Sequence, residues 1–362
     1  MKHSIKPRLG LFLGVAACLC ISACSGAPGI SQPGTPPVPP PGSNSGTAAT
    51  TVYLWGFNAF TPWPQTVQAY EIGSGTSSTP VSTLQLPLQS WGWALATGSS
   101  KELYVGVSNV TGQQILVYAA GASGAATPTR VIDLPYTPQS LFVDASGNLY
   151  VGSSGEQTNI VVSVYGPDAN GQAVPIRTVQ SANNEGLTDI TVDTSGYMYV
   201  AGYARYDSGN QPYSFIDVYS PDAEGSAEPV RSISFGVFIN GVAVDGNGNV
   251  FASVESALDT GINVSTSVAV EEFSPQASGY TTPTSVVTLP QQGVPAGESG
   301  AGGVGGGPVR FDGAGNIYSP EITGNEGSFN YVLYKIAPQG TSATPMAQVN
   351  PENGYNFFFA VN

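Results

Sequence analysis

The chain has 362 residues, of which only 9% are charged, and 10 Lys and Arg against 24 Asp and Glu give a net charge of −14. An excess of negative charge repels phosphate backbones, so we expect no nucleic-acid partner. The single histidine and all three cysteines lie within the first 24 residues. The rest of the chain therefore lacks imidazole and thiol groups, which excludes Ser-His or Cys-His triads and His/Cys zinc sites there.

The N-terminal segment has the pattern of a secretory signal. Three basic residues precede an apolar run from Leu9 to Ile21, which is too short to span a bilayer as a helix. The next residues complete the sequence Ile21-Ser22-Ala23-Cys24, which resembles the lipobox of bacterial lipoproteins. The resemblance implies that residues 1–23 are removed and that Cys24 is acylated. The alternative is an ordinary signal peptide with a chance cysteine.

Residues 24–50 are expected to be a lipidated cysteine followed by a disordered linker rich in Pro, Gly and Ser. Two or more acyl chains on Cys24 anchor a protein firmly. The resemblance therefore implies a bacterial cell-envelope protein on the extracytoplasmic side. Ser25 is compatible with the outer membrane if the host has two membranes. Removal of the signal leaves seven basic residues against 24 acidic ones, a net charge of −17.

The body of the chain, residues 51–362, contains a repeated turn sequence, Asp-x-x-Gly-(Asn/Tyr)-apolar-(Tyr/Phe). Its four copies begin at Asp144, Asp193, Asp245 and Asp312, at intervals of 49, 52 and 67 residues. Each copy lies between two short apolar runs. Self-similarity at this period, built from strands and tight turns, is typical of a radial β-array. These aspartates are therefore expected to be structural turn residues.

One full repeat predicts four strands, which in the copy around Asp245 cover 241–245, 249–254, 267–273 and 283–289. Related connections between the third and fourth strands occur six times. The last residues, 358–362, match a first strand, and residues 51–56 match a second strand. The sequence thus predicts an all-β, six-bladed β-propeller of four-stranded blades, closed by N- and C-terminal strands that share one blade.

The turn residues have a mechanical interpretation. Aspartate can accept hydrogen bonds from backbone N–H groups further along, and glycine three residues on supplies a positive φ. A calcium loop at 245–249 is the alternative, but Val250 and Ser256 stand where that loop needs a glycine and a bidentate glutamate. The turns and flanking strands resemble NHL-repeat six-bladed propellers over most of residues 51–362. The Asn-Arg pair common before the third strand in that family is missing.

Candidate ligand-binding residues lie in the loops that differ from blade to blade. In a four-stranded blade, these second-to-third and blade-to-blade loops share one face, where function usually resides. Their aromatic and acidic side chains are able to stack on sugar rings, bond hydroxyl groups or grip a peptide. The candidates are Trp63, Tyr203, Tyr206, Asp207, Tyr213, Glu255, Glu321 and Tyr355. The alternative is that the aromatics seal gaps between blades while the acids are solvated.

The sequence Pro-x-Arg recurs at Arg130, Arg177 and Arg231. Equivalent positions in successive blades favour a structural role, such as covering an outer strand edge. A binding stripe on the rim is the alternative.

Three functions are compatible with these observations. The first is a non-catalytic, membrane-anchored module that binds a glycan or protein on its variable-loop face without a cofactor. The second follows from a resemblance to lactonase-type six-bladed propellers and implies a hydrolase with Ca²⁺ held by carboxylates and amides at the channel mouth. The third is a scaffold in the envelope. We expect a monomer.

Overall fold

The computed structural model describes residues 50–56, 65–72, 79–87, 90–154, 159–181, 185–204, 213–259, 264–290, 304–325, 328–349 and 359–362. The predicted signal, Cys24 and nearly all of the predicted linker lie outside these ranges. Within them every regular element is a β-strand. Consequently, no helix of the described part is long and apolar enough to cross a membrane.

Six sheets form the blades of a β-propeller, which confirms the predicted fold. Within each blade the strands follow one another from the inner to the outer edge. Blade one contains β26 (Phe359–Val361), β1 (Thr50–Gly56), β2 (Thr66–Ile72) and β3 (Ser82–Gln85). Blade two contains β4 (Trp91–Thr97), β5 (Leu103–Asn109), β6 (Gly112–Tyr118) and β7 (Arg130–Leu134). Blade three contains β8 (Pro138–Val143), β9 (Leu149–Ser154), β10 (Ile160–Tyr165) and β11 (Arg177–Gln180).

The remaining blades follow the same order. Blade four contains β12 (Glu185–Val192), β13 (Met198–Ala204), β14 (Tyr213–Tyr219) and β15 (Arg231–Phe235), with β19 (Gly279–Tyr280) added outside. Blade five contains β16 (Phe238–Val244), β17 (Val250–Asp259), β18 (Val264–Phe273) and β20 (Ser285–Thr288). Blade six contains β21 (Val304–Gly306) and β22 (Arg310–Phe311), both inner, then β23 (Ile317–Asn325), β24 (Ser328–Ile336) and β25 (Ala343–Val349).

The two ends of the chain meet in blade one, as the sequence predicts. Val52 pairs with Val361, and Leu54 pairs with Phe359, in an antiparallel register. The Asn362 N–H donates to the Thr51 carbonyl at 3.0 Å, the same bond that joins the two ends of each Asp-x-x-Gly turn. Asn362 therefore takes the place of the turn aspartate, and the C-terminal strand completes the four-stranded blade that the N-terminal strands begin.

The core consists of six apolar layers between neighbouring blades. Each layer draws buried residues from two adjacent sheets, and one layer joins blade six to blade one through residues such as Tyr331 and Leu54. Alternation along each strand places successive side chains in the layers on either side of its blade. Burial of apolar surface, worth about 25 cal/mol per Å², thus holds every blade to both of its neighbours.

The repeated turns all have the same geometry. In the four copies, the aspartate Oδ1 accepts N–H bonds of 2.8–2.9 Å from the residues two and four positions further along. The glycines have φ of 80–84°. Blade two has an equivalent turn that the motif does not show, with Gly98 in the aspartate position and Lys101 at φ 67°. The backbone bonds preserve the turn there although its sequence has diverged.

Two predicted loops are largely strand. The loop predicted around Glu255 is strand as far as Asp259, because β17 extends to that residue and pairs it with Val264 of β18. Glu321, predicted to lie in a variable loop, likewise belongs to β23, whose pairing with β24 continues to Asn325 and Ser328. The sequence prediction ended the second strand of blade five at residue 254, but cross-strand pairing continues through the polar residues to Asp259.

Candidate ligand-binding site on the propeller axis

Four consecutive inner strands contain a one-residue irregularity near their start. The register shifts occur between Gly92 and Ala94, Pro138 and Ser140, Leu187 and Asp189, and Ile239 and Gly241. The extra residues are Trp93, Gln139, Thr188 and Asn240. Bulges of this kind re-aim side chains and are common beside functional sites. In three of the four blades, the bulge presents an uncharged polar residue.

These polar residues line a cavity of about 230 Å³ where the inner strands begin, here called the loop-side chamber. Its polar lining consists of Gln139, Ser140, Thr188, Asp189, Asn240 and Arg310. Its apolar and aromatic lining includes Leu95, Leu187, Tyr203, Phe238, Pro308 and Phe359. The chamber thus combines aromatic faces with hydrogen-bonding groups, as small-ligand sites usually do.

Tyr203 and Phe238 form an aromatic wall of the loop-side chamber. Their ring centroids are 5.4 Å apart and the rings are tilted by 50°. The Tyr203 ring lies across Gly186, where an added Cβ would come 2.4 Å from the ring Cζ. Gly186 is therefore required by close approach, and it determines where the Tyr203 ring can lie.

Asn240 is held from two sides. Its Nδ2 donates to Glu255 Oε2 at 3.3 Å. A Cβ added at Gly306 would lie 2.8 Å from Asn240 Nδ2 and 3.0 Å from Ser253 Oγ. The bulge, the Glu255 carboxylate and the missing side chain at Gly306 together fix the amide at the chamber wall.

An ion pair forms the floor of the loop-side chamber. The Arg310 guanidinium binds Asp189 in a bidentate manner, with Nη1–Oδ2 at 2.7 Å and Nη2–Oδ1 at 3.0 Å. Ser140 Oγ and the Val242 N–H also donate to the Asp189 carboxylate, at 2.7 and 3.1 Å. Asp189 is 2% exposed. Asp189 of blade four is thus bound by donors from blades three, five and six, and the guanidinium compensates its negative charge.

The floor separates the loop-side chamber from a second cavity of about 240 Å³, the turn-side chamber. Arg310 lines both. The turn-side chamber is lined by the ends of the inner strands, including Val143, Val192, Val244 and Val361. Apart from Arg310, its polar lining is limited to threonines, so it offers far fewer hydrogen-bonding groups than the loop-side chamber.

One hydroxyl of the loop-side chamber has no hydrogen-bond partner among the described residues. Thr188 Oγ1 is buried and makes no hydrogen bond to any group in the described residues. Buried polar atoms are normally paired, so an isolated one in a cavity wall points to water or a ligand. Thr188 is also the bulge residue of β12, whose neighbour Asp189 carries the floor.

The predicted candidates are only partly assembled at the chamber. Tyr203 lines it, and Glu255 acts on it through Asn240. Glu321 lies within blade six, fully buried, and accepts a hydrogen bond from Tyr334 at 3.1 Å. Burial, together with the Glu321 carboxylate, raises the pKa of Tyr334. For Tyr213, the backbone pairs with Ala204 in blade four. The candidates Trp63, Tyr206, Asp207 and Tyr355 lie outside the described residues.

The sequence contained a signal for the missed residues. Gln139, Thr188 and Asn240 each stand five positions before a repeat aspartate, and Trp93 stands five before Gly98. A polar residue in an otherwise apolar inner strand marks a bulge at this position. Arg310 and Asp189, 121 residues apart in the chain, carry no such regularity.

Carboxylates do not cluster in the described part of the chain. There, no group of three or more His, Cys, Asp or Glu side chains is placed to hold a metal ion. At the axis, Arg310 already supplies the positive charge beside Asp189.

Comparison with known proteins supports the fold. No known protein-family model matches this sequence, and no curated protein matches it either. A protein of unknown function from Bacteroides caccae is similar in structure, with a TM-score of 0.54 and 10% identity over 87% of this chain and 99% of that one. A protein from Lactobacillus plantarum has a TM-score of 0.50 and 13% identity over the same shares. At such identities the likeness concerns the fold alone.

The fold and the site together define a class: a six-bladed β-propeller with four-stranded blades and an axial chamber lined by the first residues of the inner strands.

Proposed function

We propose that the protein is a non-catalytic binding module that holds one uncharged sugar residue of a glycan in the loop-side chamber. The observation that carries this proposal is the pairing of an aromatic wall with a ring of bulge-borne, uncharged polar groups. Aromatic faces stack on sugar rings, and amides and hydroxyls bond sugar hydroxyls.

The size of the chamber favours a single ring over a folded protein partner. Its volume of about 230 Å³ is below the ~300–1,000 Å³ typical of pockets for drug-sized ligands. The lining charges cancel, because Arg310 and Asp189 bind each other. An uncharged ligand therefore suits the chamber better than an anion or a cation.

The lipobox resemblance at Cys24 supports a place for this module in the bacterial envelope. We propose that acylated Cys24 anchors the protein and that the linker to residue 50 carries the propeller away from the membrane surface. The turn sequences support an NHL-like origin of the repeat. A monomer suffices, because one chain closes the ring.

The described residues at the axis offer no observation that favours the calcium-dependent hydrolase. Both Asp189 oxygens are engaged by the guanidinium, so the carboxylate there is already neutralised. The nearby Glu255 is used to hold Asn240. We therefore carry forward the binding module alone.

A glycan array probed with the full-length protein tests the proposal. Binding to a defined set of uncharged terminal sugars is expected, and Tyr203→Ala should abolish it by removing the aromatic wall. Tyr197→Ala is the matched control, because Tyr197 is also a tyrosine, 38% exposed, but belongs to a repeated turn on the opposite face. Equal loss of binding in both variants, or binding that survives Tyr203→Ala, contradicts the proposal.

A further inference from the structure

In four blades, the outer strand is covered by a short segment from the following blade, here called a cap. Each cap comes from the connection between the third and fourth strands of its own blade and runs parallel to the strand that it covers. The pairs are Leu84 with Gly124, Ile132 with Gly171, Val179 with Gly225, and Ile233 with Gly279. The caps thus satisfy the outer edges of blades one to four.

Blade three shows how a cap is held. The Gly225 N–H donates to the Thr178 carbonyl, and the Gly225 carbonyl accepts from the Gln180 N–H, both at 2.8 Å. Gly225 has a φ of 64°, which favours glycine. Arg177 donates to the carbonyls of Pro221 and Ala223 in the same cap. This arrangement agrees with the structural interpretation of the Pro-x-Arg residues.

Among the described residues, blade five has no cap, and the blade-six connection that would supply it is shorter than its equivalents. Between the paired residues Val164 and Arg177 of blade three lie 12 residues, and the same number separates the equivalent pairs of blades two, four and five. In blade six, the equivalent pair, Lys335 and Thr344, encloses only 8. The shorter connection turns at Gln339, whose φ is 56°, and it lies beside Ser285 and Val287 without forming a β-bridge to β20 among the described residues.

The outer edge of β20 is consequently unpaired among the described residues. The Leu289 N–H donates inward to Val268, so the N–H of the adjacent Thr288 points outward. The Val286 carbonyl points the same way, two residues earlier. These two groups match the Gln180 N–H and the Thr178 carbonyl that hold a cap in blade three. Val286 is 50% exposed.

Blade five also lacks the arginine that clamps three of the four caps. Ser285 stands where blades two to four have that arginine, as Ser82 does in blade one, whose cap is held by backbone bonds. Beside β20 is a small cavity of about 20 Å³, lined by Val287, Phe251, Ile336 and Gly340 among others. At the blade-three edge, the alanines of the cap, Ala223 and Ala227, pack against the core at this position.

We propose that the outer edge of β20 binds an extended segment of a partner protein with the sequence Ala-x-Gly, running parallel to β20 and replacing the missing cap. The four internal caps define this occupant, because all share Ala-x-Gly, at 122–124, 169–171, 223–225 and 277–279. Each of these four caps is already paired with a strand of its own chain, so the described part of a second copy has no free cap that could bind β20. The mode of binding is β-strand addition, in which main-chain bonds give affinity and small pockets give specificity.

Amide hydrogen exchange in the full-length protein tests the first half of this proposal. The amides of Gln85, Asp133 and Gln180 donate to caps and should be protected. The Thr288 amide should exchange rapidly. Protection of Thr288 equal to that of Gln180 in the free protein shows that other residues of this chain already cover the edge, and it overturns the proposal.

A synthetic peptide with the sequence of residues 118–129 tests the second half. This sequence is an uncharged internal cap with Ala122 and Gly124 in the required spacing. At ten times its Kd, the peptide should slow Thr288 exchange about tenfold. A control peptide with proline in place of Gly124 lacks the donor and the positive φ, and should leave Thr288 exchange unchanged. Equal effects of the two peptides contradict the proposal.

Two sets of variants separate edge binding from unfolding. Thr288→Pro removes the outward N–H and should abolish peptide binding, whereas Thr288→Val keeps the N–H and should retain it. In a second design, residues 336–343 are replaced by the sequence of residues 165–176, together with Ser285→Arg. This variant supplies an internal cap and should also lose peptide binding. Retained binding in the folded capped variant contradicts the assigned site.

Discussion

The two ends of the propeller axis differ in how much their residues vary from blade to blade. On the turn side, one aspartate geometry is repeated four times, and each carboxylate is satisfied by its own turn. On the loop side, the same bulge recurs but presents a different residue in each blade: Trp93, Gln139, Thr188 and Asn240. The repeated turns stabilise the fold. The bulges repeat the same backbone geometry, but their different side chains give the loop side its hydrogen-bonding and aromatic groups. The Arg310–Asp189 pair lies between the two ends.

The largest expected effect comes from breaking the Arg310–Asp189 ion pair, which forms the floor between the two chambers. Arg310→Met leaves the Asp189 carboxylate, which is 2% exposed, without its charged partner, and should lower the free energy of unfolding by about 3–5 kcal/mol. The paired change of Asp189→Leu with Arg310→Met should cost much less, because no buried charge remains. Urea unfolding of the three proteins measures both values. A single variant as stable as the double variant would show that the pair is not buried as described.

A second expected effect separates the site from the scaffold. In Gly186→Ala, the new Cβ displaces the Tyr203 ring, which should cost about 1–3 kcal/mol of stability and remove glycan binding. Gly246→Ala is the matched control, because a Cβ there meets no atom within 4 Å. It should leave binding unchanged. Thermal unfolding and glycan binding, measured on the same samples, give the two readouts. Retained binding in Gly186→Ala would exclude the aromatic wall from the site.

The turn side should respond to pH rather than to ligand. Burial raises the pKa of Asp312, but bonds from the Asn316 side chain, from backbone N–H groups and from Tyr318 outweigh it, so the pKa is lowered from its ordinary value of 3.8. A lowered pKa stabilises the folded state above pH 3.8, and this stabilisation is lost as pH falls through the folded pKa. Asp312→Asn should therefore cost about 1 kcal/mol at pH 7 and progressively less below pH 4.

Unfolding of the wild-type and Asp312→Asn proteins between pH 2 and pH 7 checks this expectation. A difference in stability that stays constant over the whole range would contradict the role of the charged carboxylate. Glycan binding at pH 7 should be unchanged in the variant, because Asp312 belongs to the turn side.

The smallest expected effect is at Thr188. Thr188→Val keeps the shape but removes a buried hydroxyl that has no partner in the described residues. Stability should stay within about 0.5 kcal/mol or rise slightly, since nothing is left unpaired by the change. Affinity for the glycan should fall about fivefold to tenfold if the hydroxyl bonds the sugar. Calorimetric titration with the ligand identified on the array measures this loss, and unchanged affinity would remove Thr188 from the site.

The sequence predicted the fold well because each turn is encoded locally. Asp144 and Gly147 suffice to specify one turn, and the match of residues 358–362 to a first strand predicted the closure. The axial site was predicted less well. Its polar groups come from strand irregularities and from Arg310 and Asp189, which meet only through the ring geometry. Glu321 shows the opposite error, because an acidic residue assigned to a loop is buried within a blade.

A crystal structure of the protein with the array-selected glycan tests the central claim most directly. The account predicts one sugar ring in the loop-side chamber, stacked on Tyr203 and within hydrogen-bonding distance of Asn240 and Thr188, with the turn-side chamber free of sugar. A glycan bound on the outer rim or in the turn-side chamber, with the loop-side chamber holding none, would contradict it.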